Sequence, residues 1–363
     1  MKIKLNTVMS GFSEGKCKVH ARVGATADGG FVMTYQMLAT DGCDYFETPR
    51  VRVINNDNFA SFTDAPEHTP VGFDIESGVF ANTVPALHKP SGKLLLLGDN
   101  VNYLPGTKRP DKSRPKGTYY SVFDEQNKTY LPLRPLRYED GAPLAGNFAA
   151  SCSDRCDLPD GRIFVPTYGW QPSGKLEVKI YECRFAGDVL FATGRESESI
   201  KKEDSKRGVG EPSLTYTDGQ YFITLRTDEQ AMFSVSDDPL NFSKIAPVRW
   251  DTGECVPSYN TQTKWLRLGG RLYLVYTRKA ENNSHVFRHR APLWIAEFDT
   301  GRHVLIKDTE MALTPNRGAR CGNFGVAELS DTRALVTVAE WMQPVGCEKY
   351  GSDNSVFIAD ISV

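Results

Sequence analysis

Residues 211–226 read EPSLTYTDGQYFITLR. Two short runs rich in β-branched and aromatic residues flank Thr217, Asp218 and Gly219, a turn whose residues tolerate the left-handed backbone region. This pattern predicts a β-hairpin. The same shape occurs five more times: ARVGATADGGFVMTYQ (21–36), VPALHKPSGKLLLLGD (84–99), SDRCDLPDGRIFVPTY (153–168), QTKWLRLGGRLYLVYT (262–277) and FGVAELSDTRALVTVAE (324–340). The turns fall at Gly29, Gly92, Gly161, Gly219, Gly270 and Thr332, 51 to 69 residues apart. A repeated all-strand unit of this size predicts an all-β fold, a six-bladed β-propeller with four-stranded blades, in one domain spanning residues 1–363. No helical stripe exceeds about three turns. The strands at the two ends, KIKLNTV and SVFIADISV, are expected to close the ring by sharing a blade.

Composition supports a packed chain and narrows the partners. The 363 residues are 40% hydrophobic and 11% aromatic, enough for a sizeable core. A formal net charge of -2 argues against nucleic acid as a partner, which calls for a basic surplus. No apolar run is long enough to cross a membrane. The opening MKIKLNTVMSGFSEGK lacks the apolar centre of a secretory leader. The expectation is a cytoplasmic chain, or a secreted or periplasmic one whose leader has been removed. Eight cysteines are scattered along the chain, and Cys152 and Cys156 have no second pair nearby. Buried thiols are expected, with no metal and no other cofactor.

Hairpin geometry then points to a site. If each hairpin forms the inner two strands of a blade, its two open ends gather at one face around the axis. Seven residues past the turn glycines lie Gln36, Asp99, Tyr168, Arg226 and Thr277, with Glu340 eight past Thr332. Eight before lie Glu211 and Gln262, among others. Strands this apolar would end in apolar residues if they only packed, yet these ends are polar or charged. Convergence of such groups around an axis is how a binding site is assembled.

These segments resemble the sialidase superfamily of propellers. ATDGCDYF, with Asp41 and Phe46, and VSDDPLNF, with Asp237 and Phe242, look like degenerate copies of its Asp-box. The 211–226 block is similar to the family block that begins with a catalytic Glu and ends with a carboxylate-binding Arg, here Glu211 and Arg226. The family's first arginine falls on Thr83, and Asn323 and Phe324 stand where its tyrosine nucleophile belongs. The resemblance implies cleavage of a glycosidic bond in an anionic or terminal sugar, with a carbohydrate as the partner.

Each candidate residue has a stated role in that reading. Glu211 and Asp99 are the two carboxylates that glycoside hydrolysis usually needs. Glu340 is a third acidic candidate, assigned to substrate binding. Arg226 holds an anionic group, and Tyr168, Tyr259 and Gln262 suit sugar hydroxyls. ENNSHVFRHRAP (281–292) follows the fifth hairpin; His285 and His289 suggest a proton relay, and Arg288 and Arg290 anion binding. The loops 107–117 and 316–320, the latter carrying Arg320, add to a basic face. Two other functions fit the same residues. A polysaccharide lyase would use a His or Tyr base and Arg226 against a uronate, and a non-catalytic propeller would bind carbohydrate without turnover.

Overall fold

The computed structural model describes residues 1–363 except 13–14, 42–43, 76–77, 112 and 259. Its sheets are six propeller blades, and the six hairpins supply their inner strands. The first blade is built from Lys16–Ala25, Phe31–Ala39 and Arg50–Ile54. The second is led by Gly78–His88 and Lys93–Asn102, the third by Cys156–Asp157 and Arg162–Trp170, and the fourth by Gly210–Thr217 and Gln220–Arg226. Lys264–Leu268 with Arg271–Tyr276 lead the fifth, and Gly325–Ser330 with Arg333–Ala339 the sixth. The turn glycines adopt the left-handed conformation that the sequence suggested, at φ 84° for Gly29, 68° for Gly92, 82° for Gly161 and Gly219, and 70° for Gly270.

Why these strands form blades is visible in how they share their side chains. Both faces of a propeller strand are buried, so alternate residues serve different neighbours. Ile163 and Val165 pack with Leu95 and Val122 of the second blade, whereas Phe164 packs with Leu214 and Ile223 of the fourth. Phe222 turns the other way, to Trp265 and Leu274 of the fifth blade. Every adjacent pair of blades shares such an apolar cluster, so the core is a ring of interfaces. Full burial of each Leu, Ile or Phe contributes roughly 1.5–3 kcal/mol.

The ring closes as expected: Lys2–Met9 pairs antiparallel with Val356–Ser362, from Lys2 opposite Ser362 to Met9 opposite Val356. The expectation of four strands per blade needs correction: among the described residues the fourth and sixth blades have four, the second, third and fifth carry extra two-residue strands and have six, five and five, and the first has three. Its outer place is taken by the 3-10 turn Phe59–Phe62, whose two phenylalanines are buried with Phe31 and Met33. Phe46 and Phe242, which end the two Asp-box-like stretches, are buried; Gly42 and Cys43 of the first lie outside the described residues. Among the described residues, all seven cysteines are free and six are buried. Among the described residues no helix is long and apolar enough to cross a membrane.

A feature of the inner strands sets up the site. Three of them are bulged on the side away from the hairpin turn, between Val19 and Arg22, Ala81 and Val84, and Gly210 and Ser213. Each bulge holds a non-glycine residue at positive φ: His20 at 53°, Asn82 at 55° and Glu211 at 44°. Cys152 (56°) and Asn260 (48°) hold the same place ahead of the third and fifth hairpins. A bulge re-aims one side chain out of the alternating pattern. A left-handed residue costs roughly 1–2 kcal/mol. Five such residues at equivalent positions, four of them polar and the fifth Cys152, gather at one end of the axis.

Candidate functional site

The site is built on the Glu211–Arg226 hairpin. Gly210 pairs with Arg226 across the two strands, and the bulge swings Glu211 toward the guanidinium. Arg226 Nη1 donates to Glu211 Oε1 at 2.5 Å. Burial alone would push the Glu211 carboxyl up; the Arg226, Arg290 and Arg22 charges outweigh it and leave Glu211 below the ordinary carboxylate range. The two side chains line a cavity of about 190 Å³ together with Tyr168, Trp170, Lys116 and Arg207. The Tyr168 phenol is driven well above its ordinary value, first by burial and then by the nearby Glu211 charge.

Other arginines crowd the same end. Arg207 pairs with Asp228, with Nε 2.8 Å from both carboxylate oxygens. The Asn260 amide oxygen accepts from Arg207 Nη2 at 3.1 Å, from Arg288 Nη1 at 3.2 Å and from Arg226 Nη2. The Asn260 backbone carbonyl accepts from Arg290 Nη2. Arg290 is buried and its Nε has no partner among the described residues. Burial and the neighbouring Arg226 and Arg320 charges push Arg290 well below its ordinary value. Arg320 stacks on Trp341, 3.4 Å from the ring centroid, and is pushed down to about 10, chiefly by burial. A desolvated cluster of guanidinium groups favours binding of an anion.

The expected residues fall into distinct settings. Asp99 is fully buried; Asn82 Nδ2 donates to one oxygen at 2.8 Å and Lys116 Nζ to the other at 2.6 Å. Glu340 is buried under Arg317, which donates to both its oxygens at 2.8 and 2.7 Å, so its carboxylate is committed to that pair and to the backbone N–H groups of Asp353 and Ser355. Gln262 Nε2 donates to the Phe324 carbonyl at 3.1 Å, while its buried Oε1 has no partner among the described residues. His285 stacks on Tyr350 with ring centroids 4.3 Å apart, and His289 Nδ1 lies 3.2 Å from the Asn283 carbonyl of its own loop. Tyr259 lies outside the described residues. The basic loops gather at one face: Lys108 pairs with Asp41 at 2.5 Å, Arg320 lies 3.8 Å from Asp44, and Asn316 bonds the Asn282 carbonyl at 2.9 Å.

Several groups at this end escaped the reading from hairpin ends. Asn323, where the resemblance places a tyrosine, lies 2.6 Å from His20 Nε2. Burial and the Arg22 charge hold His20 well below its ordinary value, so the ring is neutral. Arg22, buried, reaches the Thr83 carbonyl at 2.6 Å and Cys152 Sγ at 3.1 Å. Lys264, also buried, bonds Asp154 at 2.5 Å and the Cys152 carbonyl at 3.1 Å. A larger cavity, about 770 Å³, opens on the hairpin-turn face. Its arginines are neutralised, Arg155 by Asp157 at 2.8 Å, Arg267 by Glu328 at 2.6 Å and Arg271 by Glu297 at 2.6 Å. Size favours that cavity; the re-aimed polar ring and the buried Glu211–Arg226 pair favour the smaller one, although its cations Arg226, Arg207 and Lys116 are likewise paired, with Glu211, Asp228 and Asp99.

Fold and site together define a six-bladed propeller of sialidase-like architecture with a pocket of paired cations and carboxylates at one end of its axis. No protein-family model matches the sequence, and no curated protein matches it at a significant level. Solved structures do. A protein of unknown function from Dyadobacter fermentans DSM 18053 superposes with a TM-score of 0.69 at 13% identity, covering 99% of each chain. The Hadza microbial sialidase Hz136 gives 0.66 at 8% identity over 96% of this chain and 66% of that one. The Trypanosoma rangeli sialidase gives 0.61 at 13% identity over 99% of this chain and 59% of that one. The chain thus spans less than two thirds of either sialidase. At these identities the likeness is one of fold.

Proposed function

We propose that the chain is a glycoside hydrolase that takes a terminal, anionic sugar in the pocket formed by Glu211, Arg226 and Tyr168. The observation that supports it best is the Glu211–Arg226 pair on the wall of the 190 Å³ cavity, at the two positions where the resembling family keeps its acidic residue and a carboxylate-binding arginine. Glu211 is a carboxylate at neutral pH, so it accepts a proton from the attacking group, a water or the Tyr168 phenol. Lys116 and Asp99, ion-paired at 2.6 Å with Lys116 on the same wall, are the groups placed to return a proton to the leaving oxygen. The surrounding guanidinium groups bind the sugar's anion.

Fluorogenic 4-methylumbelliferyl glycosides of N-acetylneuraminate and glucuronate test this. Turnover is expected from the wild type. Glu211→Gln should lower kcat by at least about 10²-fold in the protein that stays folded, with some loss of melting temperature from the broken pair, and Arg226→Lys should mainly raise KM, because an ammonium lacks the bidentate fork. Normal turnover in both variants would place the chemistry elsewhere. An ultraviolet-absorbing unsaturated product from a uronate glycan would select elimination instead. One observation favours a second reading, carbohydrate binding without turnover: Asn323 stands at the tyrosine position and is bound to His20. Affinity for either sugar with no turnover selects that reading.

A further inference from the structure

The side-chain amide of Gln36 is pinned by backbone groups, which cannot exchange roles. Its Nε2 donates to the Glu47 carbonyl at 2.8 Å and to the Phe80 carbonyl at 3.4 Å, and its Oε1 accepts from the Asn82 backbone N–H at 3.2 Å. The same oxygen lies 3.4 Å from His20 Nδ1. An oxygen accepts only from an N–H, so Nδ1 carries the proton and the neutral His20 ring keeps its lone pair on Nε2. The ring is buried, with the Phe46 and Trp341 ring centroids 4.9 and 5.7 Å from its own.

That lone pair decides the next side chain. Asn323 Nδ2 lies 2.6 Å from His20 Nε2. A lone pair accepts only from a donor, so this end of the Asn323 amide is its NH2 group and the oxygen stands at the other end. A backbone constraint at Gln36 thus becomes, through two side chains, a fixed orientation at the axis. Asn323 is half-buried, and its Oδ1 has no partner among the described residues. The residues on either side place it beside two arginines. An added Cβ on Gly322 would lie 2.5 Å from Arg290 Cδ, and the Phe324 carbonyl accepts from Arg22 Nε at 3.2 Å. Both of those charges also act on Glu211. A ligand at this end therefore meets a fixed acceptor, which favours a hydroxyl or amide N–H at that point over a second carboxylate or an ether oxygen.

We propose that Asn323 is a specificity-determining residue of the site: the Gln36–His20 relay holds its amide with the oxygen toward the ligand, where it selects a sugar that brings a hydroxyl or amide N–H to that point. The proposal rests on the reading that the site takes an anionic sugar, turned over or only bound, and the two can fail separately. Nitrogen NMR of the isotope-labelled histidines in the full chain at neutral pH reads the relay, with His20 assigned by the signals lost in His20→Phe. The expected result is a proton on Nδ1 and a bare Nε2. A proton on Nε2, or on both nitrogens, overturns the proposal, because Asn323 would then turn its NH2 group to the ligand. Calorimetry reads the selection, with N-acetylneuraminate, methyl D-glucuronide and the monodeoxy analogues of each. At least one analogue should bind the wild type at least about tenfold more weakly than its parent, because it leaves a partly buried acceptor unpaired. In Asn323→Ala and in His20→Phe the same two ligands should bind within about threefold of each other, since the acceptor is gone or free to turn. A merely structural relay predicts instead a lower melting temperature in both variants with the discrimination unchanged. That outcome, or a wild type that binds a parent and all its analogues alike, overturns the proposal. If the wild type binds neither parent while His20 carries its proton on Nδ1, the sugar reading fails and the outward oxygen of Asn323 stands.

Discussion

Glu211 and His20 mark the two sides of the bulge ring, and their ionisation makes opposite demands on the fold. Glu211 is stable charged; His20 is stable neutral. Both shifts are depressions, and both act in the same direction on stability. Between the folded and unfolded values the unfolded chain binds the extra proton, so stability rises with pH there. For His20 the loss begins as pH falls below about 6.5, its ordinary value, and deepens toward its lower folded value. For Glu211 the stabilisation is complete above about 4.5 and disappears as pH falls through its folded value. The prediction is a two-stage acid destabilisation by chemical denaturation: His20→Gln shrinks the stage that begins near pH 6.5, to which His68 and His88 also contribute, and Glu211→Gln shrinks the one below about 4.5, which it shares with other depressed carboxylates such as Asp228 and Asp353. A wild-type profile flat from pH 7 to 5 would show that His20 is not held as a buried neutral ring. At this scale the sequence was legible where a residue sits at a hairpin's open end. Counting from Gly219 brought Glu211 and Arg226 together before any coordinates. It did not show His20, Asn82 or Asn260 facing the axis, because the rotation that turns them there is a backbone event with no periodic signature.

The blade's elements explain why that rotation persists. A hairpin turn at positive φ is open to solvent, so its glycine answers only a conformational need; a glycine beside the site answers a steric one as well. Gly219, at φ 82°, has no atom within 4 Å of an added Cβ. Gly208, at φ 81°, would place its Cβ 2.0 Å from the Leu176 carbonyl oxygen, and it lines the small cavity. Gly219→Ala is expected to cost about 1–2 kcal/mol, the left-handed penalty alone. Gly208→Ala should exceed about 4 kcal/mol by denaturant unfolding, since the strand or the loop must move. Near-equal losses would mean that the 207–210 segment has room to shift. The turns were legible as hairpin signals because Gly, Asp, Ser and Pro mark them chemically. The first blade's missing fourth strand was not, because residues 55–62 carry the same mix of polar and aromatic residues as a strand and its turn, and only the burial of Phe59 and Phe62 against the sheet decides between them.

At the scale of the whole molecule, the ring must close for the apolar interfaces between blades to be complete. The closing strand contributes little burial of its own. Along Lys2–Met9 only Val8 and Met9 are buried. What it does is cover the backbone edge of Val356–Ser362, whose residues Val356 to Ala359 and Ile361 are buried in the last blade. An uncovered edge of that composition is a template for pairing with another chain. Deleting residues 1–9 should therefore lower stability by on the order of 3–5 kcal/mol, from two buried side chains and a lost ladder, and should promote aggregation. Covalent order is irrelevant to this argument; only pairing matters. Because Lys2 lies opposite Ser362, a tight Asn-Gly turn can join Val363 to Met1, and the chain can be reopened between Met9 and Ser10. The circular permutant has the same strands in the same register, with the closing strand now made as the last hairpin of its own blade. It should match the wild type in melting temperature within a few degrees and remain monodisperse in light scattering, while the deletion variant does neither. Should the deletion variant melt like the wild type, closure would rest on packing between blades alone, and the shared blade would be a covering over an edge that the ring does not need.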